Sequence, residues 1–85
     1  MGYVVLVTGA SSGLGKSIAF HLHNLGHIVY GTSRDPKQYT EDFPFSLLPL
    51  DVTEAASVEA LLIELEKKET KIDVLINNAS YKWNA

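Results

Sequence analysis

The chain has 85 residues, a formal net charge of -3 and no cysteine. This length allows one small domain, because most domains contain about 100 to 150 residues. The acidic balance and the scattered basic residues argue against a nucleic-acid partner. The absence of cysteine excludes a disulfide scaffold and a thiolate site and is compatible with a cytoplasmic location. The first apolar run is far shorter than the roughly 20 residues of a membrane helix, so no membrane partner is expected.

The first predicted unit is a strand, a glycine-rich turn and a helix in direct succession. Residues 3–7 form a continuous apolar run, which is typical of a strand buried on both faces of a parallel sheet. A turn with three glycines follows, and from Leu14 apolar residues recur at helical spacing. Gly26 stands where a left-handed residue ends such a helix.

The remainder of the chain repeats this alternation. A second strand is predicted over residues 28–32 and a polar connector over 35–44. A third apolar run over 45–50 contains Pro49, which favours an edge position or the end of a strand. Thr53 is the expected cap of a second helix. Its apolar stripe comprises Val58, Leu61, Leu62 and Leu65, and a fourth strand over 72–76 follows it.

Strands that alternate with helices predict an α/β fold with right-handed crossovers. We expect a partial Rossmann-type, doubly wound parallel sheet of four strands in the order 3-2-1-4. The fourth strand then has an open edge, through which the chain can associate with itself.

The glycine turn resembles two phosphate-binding loops without matching either pattern in full. Gly15, Lys16 and Ser17 supply the end of a P-loop, but that pattern requires glycine at position 10, where Ala10 stands. Asp51 after the third apolar run imitates the magnesium-binding aspartate of such enzymes. The dinucleotide pattern is also altered, because Gly9 and Gly13 are separated by three residues. Both alternatives remain open at this point, and Lys16 is expected to point into solvent.

The end of the second strand favours one dinucleotide over the other. An acidic residue there would accept hydrogen bonds from the adenosine ribose of NAD. Ser33 and Arg34 stand there instead, and a hydroxyl beside a guanidinium offers a 2′-phosphate a hydrogen bond and a charge-assisted clamp. NADP is therefore favoured over NAD.

Three motifs together resemble the N-terminal half of a short-chain dehydrogenase/reductase. They are Thr8-Gly-Ala-Ser-Ser-Gly-Leu-Gly15, Asp51-Val52-Thr53 and Asn77-Asn78-Ala79. The resemblance implies that the pyrophosphate is lined by Gly9, Ser11, Ser12, Gly13, Leu14 and Gly15, and that Ser33 and Arg34 meet the 2′-phosphate. It also implies that Asp51 accepts from the adenine amino group beside Val52, while Asn77, Asn78 and Ala79 line the adenosine ribose and brace the sheet.

The end of the chain departs from this family. Position 80 is Ser where the family has Gly, so residues 1–79 are interpreted as an NAD(P)-binding half-domain and 80–85 as a divergent tail. The family's catalytic Ser and Tyr-x-x-x-Lys have no counterpart, so no catalytic residue is assigned, and a carbonyl or alcohol substrate is expected only with a further catalytic half. His21 and His23 lie two apart on a helix and make no metal pair. The function predicted is the NADP-binding portion of an oxidoreductase. A stand-alone nucleotide-binding or regulatory module and a P-loop NTPase are the alternatives.

Overall fold

A computed structural model describes residues 2–36, 43–68 and 71–78. Its elements follow in the order β1 (Val4–Val7), α1 (Gly13–Asn24), β2 (Ile28–Ser33), β3 (Ser46–Pro49), α2 (Ala55–Lys68) and β4 (Val74–Ile76). Most of the predicted connector over 35–44, and the boundary between 79 and 80 with the tail, lie outside the described residues. The predicted alternation of strands and helices is confirmed.

The four strands form one parallel sheet in the order β3-β2-β1-β4. In the register of the central pair, Val5 lies opposite Val29, and Leu6 lies opposite Tyr30. β3 is an edge strand that ends at Pro49, as the proline predicted. This arrangement confirms the predicted Rossmann-type order 3-2-1-4 and leaves β4 at the other edge.

Alternate residues of β1 supply two separate cores, one on each face of the sheet. Val5 and Val7 are buried on one face with Ala19 of α1 and with Val29 and Phe45. Because successive side chains of a strand point to opposite faces, Leu6 lies on the other face. There it packs with Tyr30, Leu50, Leu61 and Leu65. One helix therefore covers each face, which is the doubly wound arrangement.

The buried face of α2 is narrower than the predicted apolar stripe. Leu61 and Leu65 are 5% and 4% exposed, whereas Leu62 is 54% exposed and Val58 is 37% exposed. Leu61 and Leu65 lie one turn apart and point at the sheet, while Leu62 is rotated from Leu61 by about 100° around the helix axis. Within the predicted apolar stripe, only Leu61 and Leu65 are therefore part of the core.

α1 ends in the glycine-terminated motif that Gly26 predicted. Gly26 has φ +95°, and its N-H donates to the His23 carbonyl at 3.0 Å. The N-H of His27 donates to the Leu22 carbonyl at 3.2 Å, which completes a Schellman motif. This tight reversal returns the chain directly to the start of β2.

Thr53 does not cap α2 as predicted. Its hydroxyl donates to Asp51 Oδ1 at 2.6 Å, and α2 begins two residues later at Ala55. Ser57 Oγ accepts the Asp51 N-H at 2.8 Å instead, which ties the first turn of α2 to the end of β3.

Within the described ranges, neither helix has the length and apolar character that a bilayer crossing requires.

Candidate functional site

The turn between β1 and α1 requires glycine at two positions. Gly9 has φ +67° and Gly13 has φ +60°, both in the left-handed region that side chains disfavour. A Cβ added to Gly13 would meet no atom within 4 Å, so the backbone there faces open space. The turn therefore exposes main chain at the carboxyl ends of the strands.

Gly15 is required for a different reason, because the first turn of α1 packs directly on the glycine turn. A Cβ at this position would collide with the Gly9 carbonyl oxygen and with the side-chain amide of Asn78. Gly15 is buried, and Leu14 beside it is 69% exposed. The absence of a side chain at Gly15 therefore brings the start of the helix against β1 and the end of β4.

The first turn of α1 presents its N-H groups without a side-chain cap. Ser12 is the N-cap residue in extended conformation, its hydroxyl makes no capping hydrogen bond, and no acidic residue lies in the first turn. The first N-H groups of a helix lack partners within the helix and carry its partial positive charge. This end of α1 is therefore suited to bind an anion such as a phosphate.

Thr32 fixes the glycine turn from the side of β2. Its Oγ1 accepts the Gly9 N-H at 3.1 Å, and its carbonyl accepts the Ala10 N-H at 2.8 Å. Thr32 is 1% exposed, so these bonds are shielded from water.

Thr8 and Asn78 fix the turn from the side of β4. The Asn78 N-H donates to Thr8 Oγ1 at 2.9 Å, and Thr8 Oγ1 lies 3.2 Å from Asn77 Oδ1. The Asn78 side-chain amide donates to the Gly9 carbonyl at 3.1 Å. Together with the bonds from Thr32, these contacts hold the turn from both sides, while the predicted place of the two asparagines at the adenosine ribose remains a prediction.

A second cluster lies where β2 and β3 end, beside the glycine turn. Arg34 Nη2 is 3.6 Å from Asp51 Oδ2, and Asp51 Oδ1 accepts both the hydroxyl and the N-H of Thr53, at 2.6 and 3.0 Å. The hydrogen bonds from Thr53, assisted by the Arg34 charge, lower the pKa of Asp51. Asp51 is therefore ionised at neutral pH, and the cluster holds a fixed carboxylate beside an exposed guanidinium.

Lys16 does not point freely into solvent as predicted. Its Nζ lies 5.9 Å from the ring centroid of Phe20 and 5.6 Å from that of Phe43, which is cation–π geometry. Phe20 is one helical turn beyond Lys16, so the ammonium extends along α1 rather than around the glycine turn. A P-loop lysine instead reaches the phosphates, so this position argues against the P-loop alternative.

The structure brings the described members of the predicted site to one end of the sheet. This end holds twelve of the residues that were predicted to contact the cofactor. They are Gly9, Ser11, Ser12, Gly13, Leu14, Gly15, Ser33, Arg34, Asp51, Val52, Asn77 and Asn78. Ala79 lies outside the described residues. Sequence reasoning missed the anchoring roles of Thr8 and Thr32. The available signal was a threonine at or next to the end of each of the two central strands, beside a glycine.

A parallel sheet of this order with a glycine turn and an uncapped helix N-terminus above its central strand defines a Rossmann-type dinucleotide-binding fold. The family model described as "short chain dehydrogenase" matches residues 3–85. The chain belongs to this family, whose members bind NAD or NADP, and it corresponds to the cofactor-binding part of their fold.

Curated relatives include enzymes of several specificities. A 3-ketodihydrosphingosine reductase of Bacteroides thetaiotaomicron is 45% identical over 76 residues, which cover 89% of this chain and 28% of that protein. An NADP-dependent 3-hydroxy acid dehydrogenase of Schizosaccharomyces pombe is 36% identical over 88 residues, covering 92% of this chain and 34% of the relative. This chain is therefore about a third as long as the relatives that it matches.

Two solved structures likewise match nearly all of this chain over about a third of their own length. The ligand-free aldohexose dehydrogenase of Thermoplasma acidophilum superposes with a TM-score of 0.82 at 33% identity, covering 93% of this chain and 30% of that one. A short-chain dehydrogenase of Streptomyces avermitilis gives a TM-score of 0.80 at 32% identity, with coverage of 94% and 31%.

Proposed function

We propose that this chain is the NADP-binding portion of an oxidoreductase that transfers hydride between NADP(H) and a carbonyl or alcohol substrate. The observation that carries the proposal is the exposed glycine turn at the uncapped N-terminus of α1, with Arg34 at the end of the neighbouring strand. The first feature suits a pyrophosphate and the second suits an additional phosphate on the adenosine ribose.

Each predicted site residue has a proposed part in this binding. The backbone from Gly9 to Gly15 and the hydroxyls of Ser11 and Ser12 line the pyrophosphate, with Leu14 toward the nicotinamide side. Asp51 and Val52 meet the adenine, and the residues 77–79 line the adenosine ribose. The nicotinamide of the cofactor supplies the hydride chemistry, and this chain supplies binding and orientation.

The preference for NADP over NAD is proposed from the end of β2. Ser33 is the last residue of this strand, and the next side chain, Arg34, is 83% exposed. A guanidinium attracts a 2′-phosphate, whereas the carboxylate that favours NAD in this position is absent from the sequence. Relatives such as the NADPH-dependent pterin aldehyde reductase of Arabidopsis thaliana are compatible with this choice.

Direct binding of the two reduced cofactors tests the proposal. We expect NADPH to bind this chain more tightly than NADH, as measured by cofactor fluorescence, and Arg34→Glu to remove the preference. Lys67→Glu is the matched control, because it makes the same charge change at an exposed position near the end of α2. Equal affinities of the unsubstituted chain for the two cofactors would contradict the assignment of Arg34.

Hydride transfer requires groups beyond this chain. The sequence contains no Tyr-x-x-x-Lys, so we expect no carbonyl reduction by the 85 residues alone. A carbonyl or alcohol substrate becomes a partner only where a further catalytic half is supplied. Turnover that survives removal of contaminating enzymes, measured as NADPH consumption with a panel of carbonyl compounds, would contradict this expectation.

Three further properties belong to the same proposal. We place the protein in the cytoplasm because its cysteine-free composition suits a reducing compartment, and we assign it no nucleic-acid partner because its net charge is -3. We also propose self-association through the β4 edge of the sheet, since a strand at an edge has backbone groups available for pairing. The division between a half-domain over 1–79 and a tail over 80–85 remains a prediction.

A further inference from the structure

We propose that Asp51 is a specificity-determining residue that limits the preference for NADP by competing with the 2′-phosphate for Arg34. The inference rests on the proposed function, because it concerns the same adenosine site. It adds a second role for Asp51, beyond accepting a hydrogen bond from the adenine.

The competition follows from how the two side chains are placed. β2 and β3 are neighbouring parallel strands, so the residues that follow them lie close together at the carboxyl end of the sheet. Arg34 Nη2 lies 3.6 Å from Asp51 Oδ2 there. The guanidinium proposed to bind the 2′-phosphate is thus already paired with a carboxylate.

The carboxylate is fixed in this position by hydrogen bonds that do not involve Arg34. Asp51 Oδ1 accepts the hydroxyl and the N-H of Thr53, while Oδ2 faces the guanidinium. The bonds from Thr53 lower the pKa of Asp51, so its charge persists at neutral pH. When a phosphate binds Arg34, the guanidinium therefore has to give up part of its attraction to Asp51, and this loss weakens phosphate binding.

The expected size of this effect is modest because the pair is accessible to water. The side chain of Arg34 is 83% exposed and that of Asp51 is 29% exposed. Exposed ion pairs change equilibria by about two- to fivefold, and less at high salt. A shift of this size is enough to alter a preference between two cofactors without abolishing the binding of either.

The test compares two nucleotides that differ only in the 2′-phosphate, adenosine 2′,5′-bisphosphate and adenosine 5′-monophosphate, by isothermal titration calorimetry at low salt. Asp51→Asn keeps a hydrogen-bond acceptor for Thr53 and for the adenine while it removes the charge. We expect the ratio of the two affinities to rise about two- to fivefold in favour of the bisphosphate. Asp51→Ser provides a second route to the same loss of charge, and Glu59→Gln, an exposed position on α2, is the control that leaves the ratio unchanged.

The same substitution in an Arg34→Ala background separates competition from simple repulsion. If Asp51 acts by competing for Arg34, Asp51→Asn does not raise the ratio of the two nucleotide affinities in the Arg34→Ala variant. An equal rise in both backgrounds would overturn competition in favour of direct repulsion, and no rise in either would overturn any role of Asp51 in the preference. Both of these results leave the proposed function intact if the unsubstituted chain binds the nucleotides. If it binds neither nucleotide, the proposed function fails and this inference fails with it.

Discussion

At the level of single residues, two buried hydroxyl groups tie the glycine turn and the strand before it to the neighbouring strands. A turn with two left-handed glycines has few side chains with which to hold itself, so its backbone groups need partners elsewhere. Thr32 supplies the partner for the Gly9 N-H, and Thr8 accepts the Asn78 N-H. Both threonines are at least 95% buried, so water cannot replace these bonds easily.

Thr32→Val tests this anchoring. Valine has nearly the same shape but no acceptor, so the Gly9 N-H loses its partner in a buried place. We expect a loss of about 1 to 3 kcal/mol in the free energy of unfolding, measured by urea denaturation. Thr53→Val, the same exchange at an exposed position, is expected to cost less than about 1 kcal/mol. Equal losses of unfolding free energy in the two variants would show that the bond from Gly9 to Thr32 contributes no more to stability than a hydrogen bond at an exposed position.

The titration of Asp51 provides a second prediction at this scale. Its pKa is lowered mainly by the Thr53 hydroxyl, then by the Thr53 N-H, with a smaller contribution from Arg34. Because the folded pKa is depressed, the stabilisation exists above the unfolded pKa and is lost as the pH falls through the folded value. We expect Thr53→Val to raise the pKa of Asp51 toward its ordinary value, and Arg34→Ala to raise it less, as followed by NMR of the carboxyl carbon. A larger rise in the Arg34 variant would reverse the order of causes.

At the scale of secondary-structure elements, the placement of α2 depends on one pair of leucines. Leu61 and Leu65 point at Leu6 and Tyr30 of the sheet, whereas the neighbouring Leu62 does not take part in this core. The helix is therefore attached by a narrow contact, and its remaining apolar residues are available to other surfaces.

Adjacent leucines of α2 allow a matched comparison. Leu61→Ala leaves a cavity under the helix, and we expect it to lower the free energy of unfolding by about 2 to 5 kcal/mol. Leu62→Ala removes the same atoms from a side chain that is 54% exposed, and we expect less than about 1 kcal/mol. Thermal or urea denaturation of the two variants measures the difference. Similar losses would indicate that α2 is rotated relative to the face described.

At the scale of the whole molecule, the sheet is covered unevenly. Leu75 of β4 lies opposite Leu6, on the face covered by α2, yet it is 61% exposed. Leu62 and Val58 are exposed on α2 above the same face of the sheet. Among the described residues a single helix lies on this face, so apolar surface remains accessible beside the β4 edge of the sheet.

Self-association of the chain is the expected consequence of this surface. Leu75→Lys places a charge beside the open edge, and we expect it to weaken association, as measured by sedimentation equilibrium over a range of concentrations. Ile63→Lys is the control, because Ile63 is similarly exposed, at 56% against 61%, but lies on the side of α2 that points away from the sheet. If both substitutions weakened association equally, β4 would not be the contact.

The order and type of the elements and the character of the glycine turn follow from the sequence alone. Alternation of short apolar runs with helical stripes has few solutions, and a right-handed crossover leaves the order 3-2-1-4 as the simplest one. Gly26 could be assigned as the left-handed end of α1 because left-handed backbone is a local property that a glycine after a helical stripe signals directly.

Contacts between residues far apart in the chain, by contrast, could not be predicted from the sequence. The burial of Leu61 but not Leu62, and the aromatic contacts of Lys16, depend on where other elements pack. The bond from Gly9 to Thr32 joins residues 23 positions apart, and the pair of Arg34 with Asp51 joins the ends of two strands. Such contacts depend on the distance and orientation of side chains after folding, which a local sequence pattern does not contain.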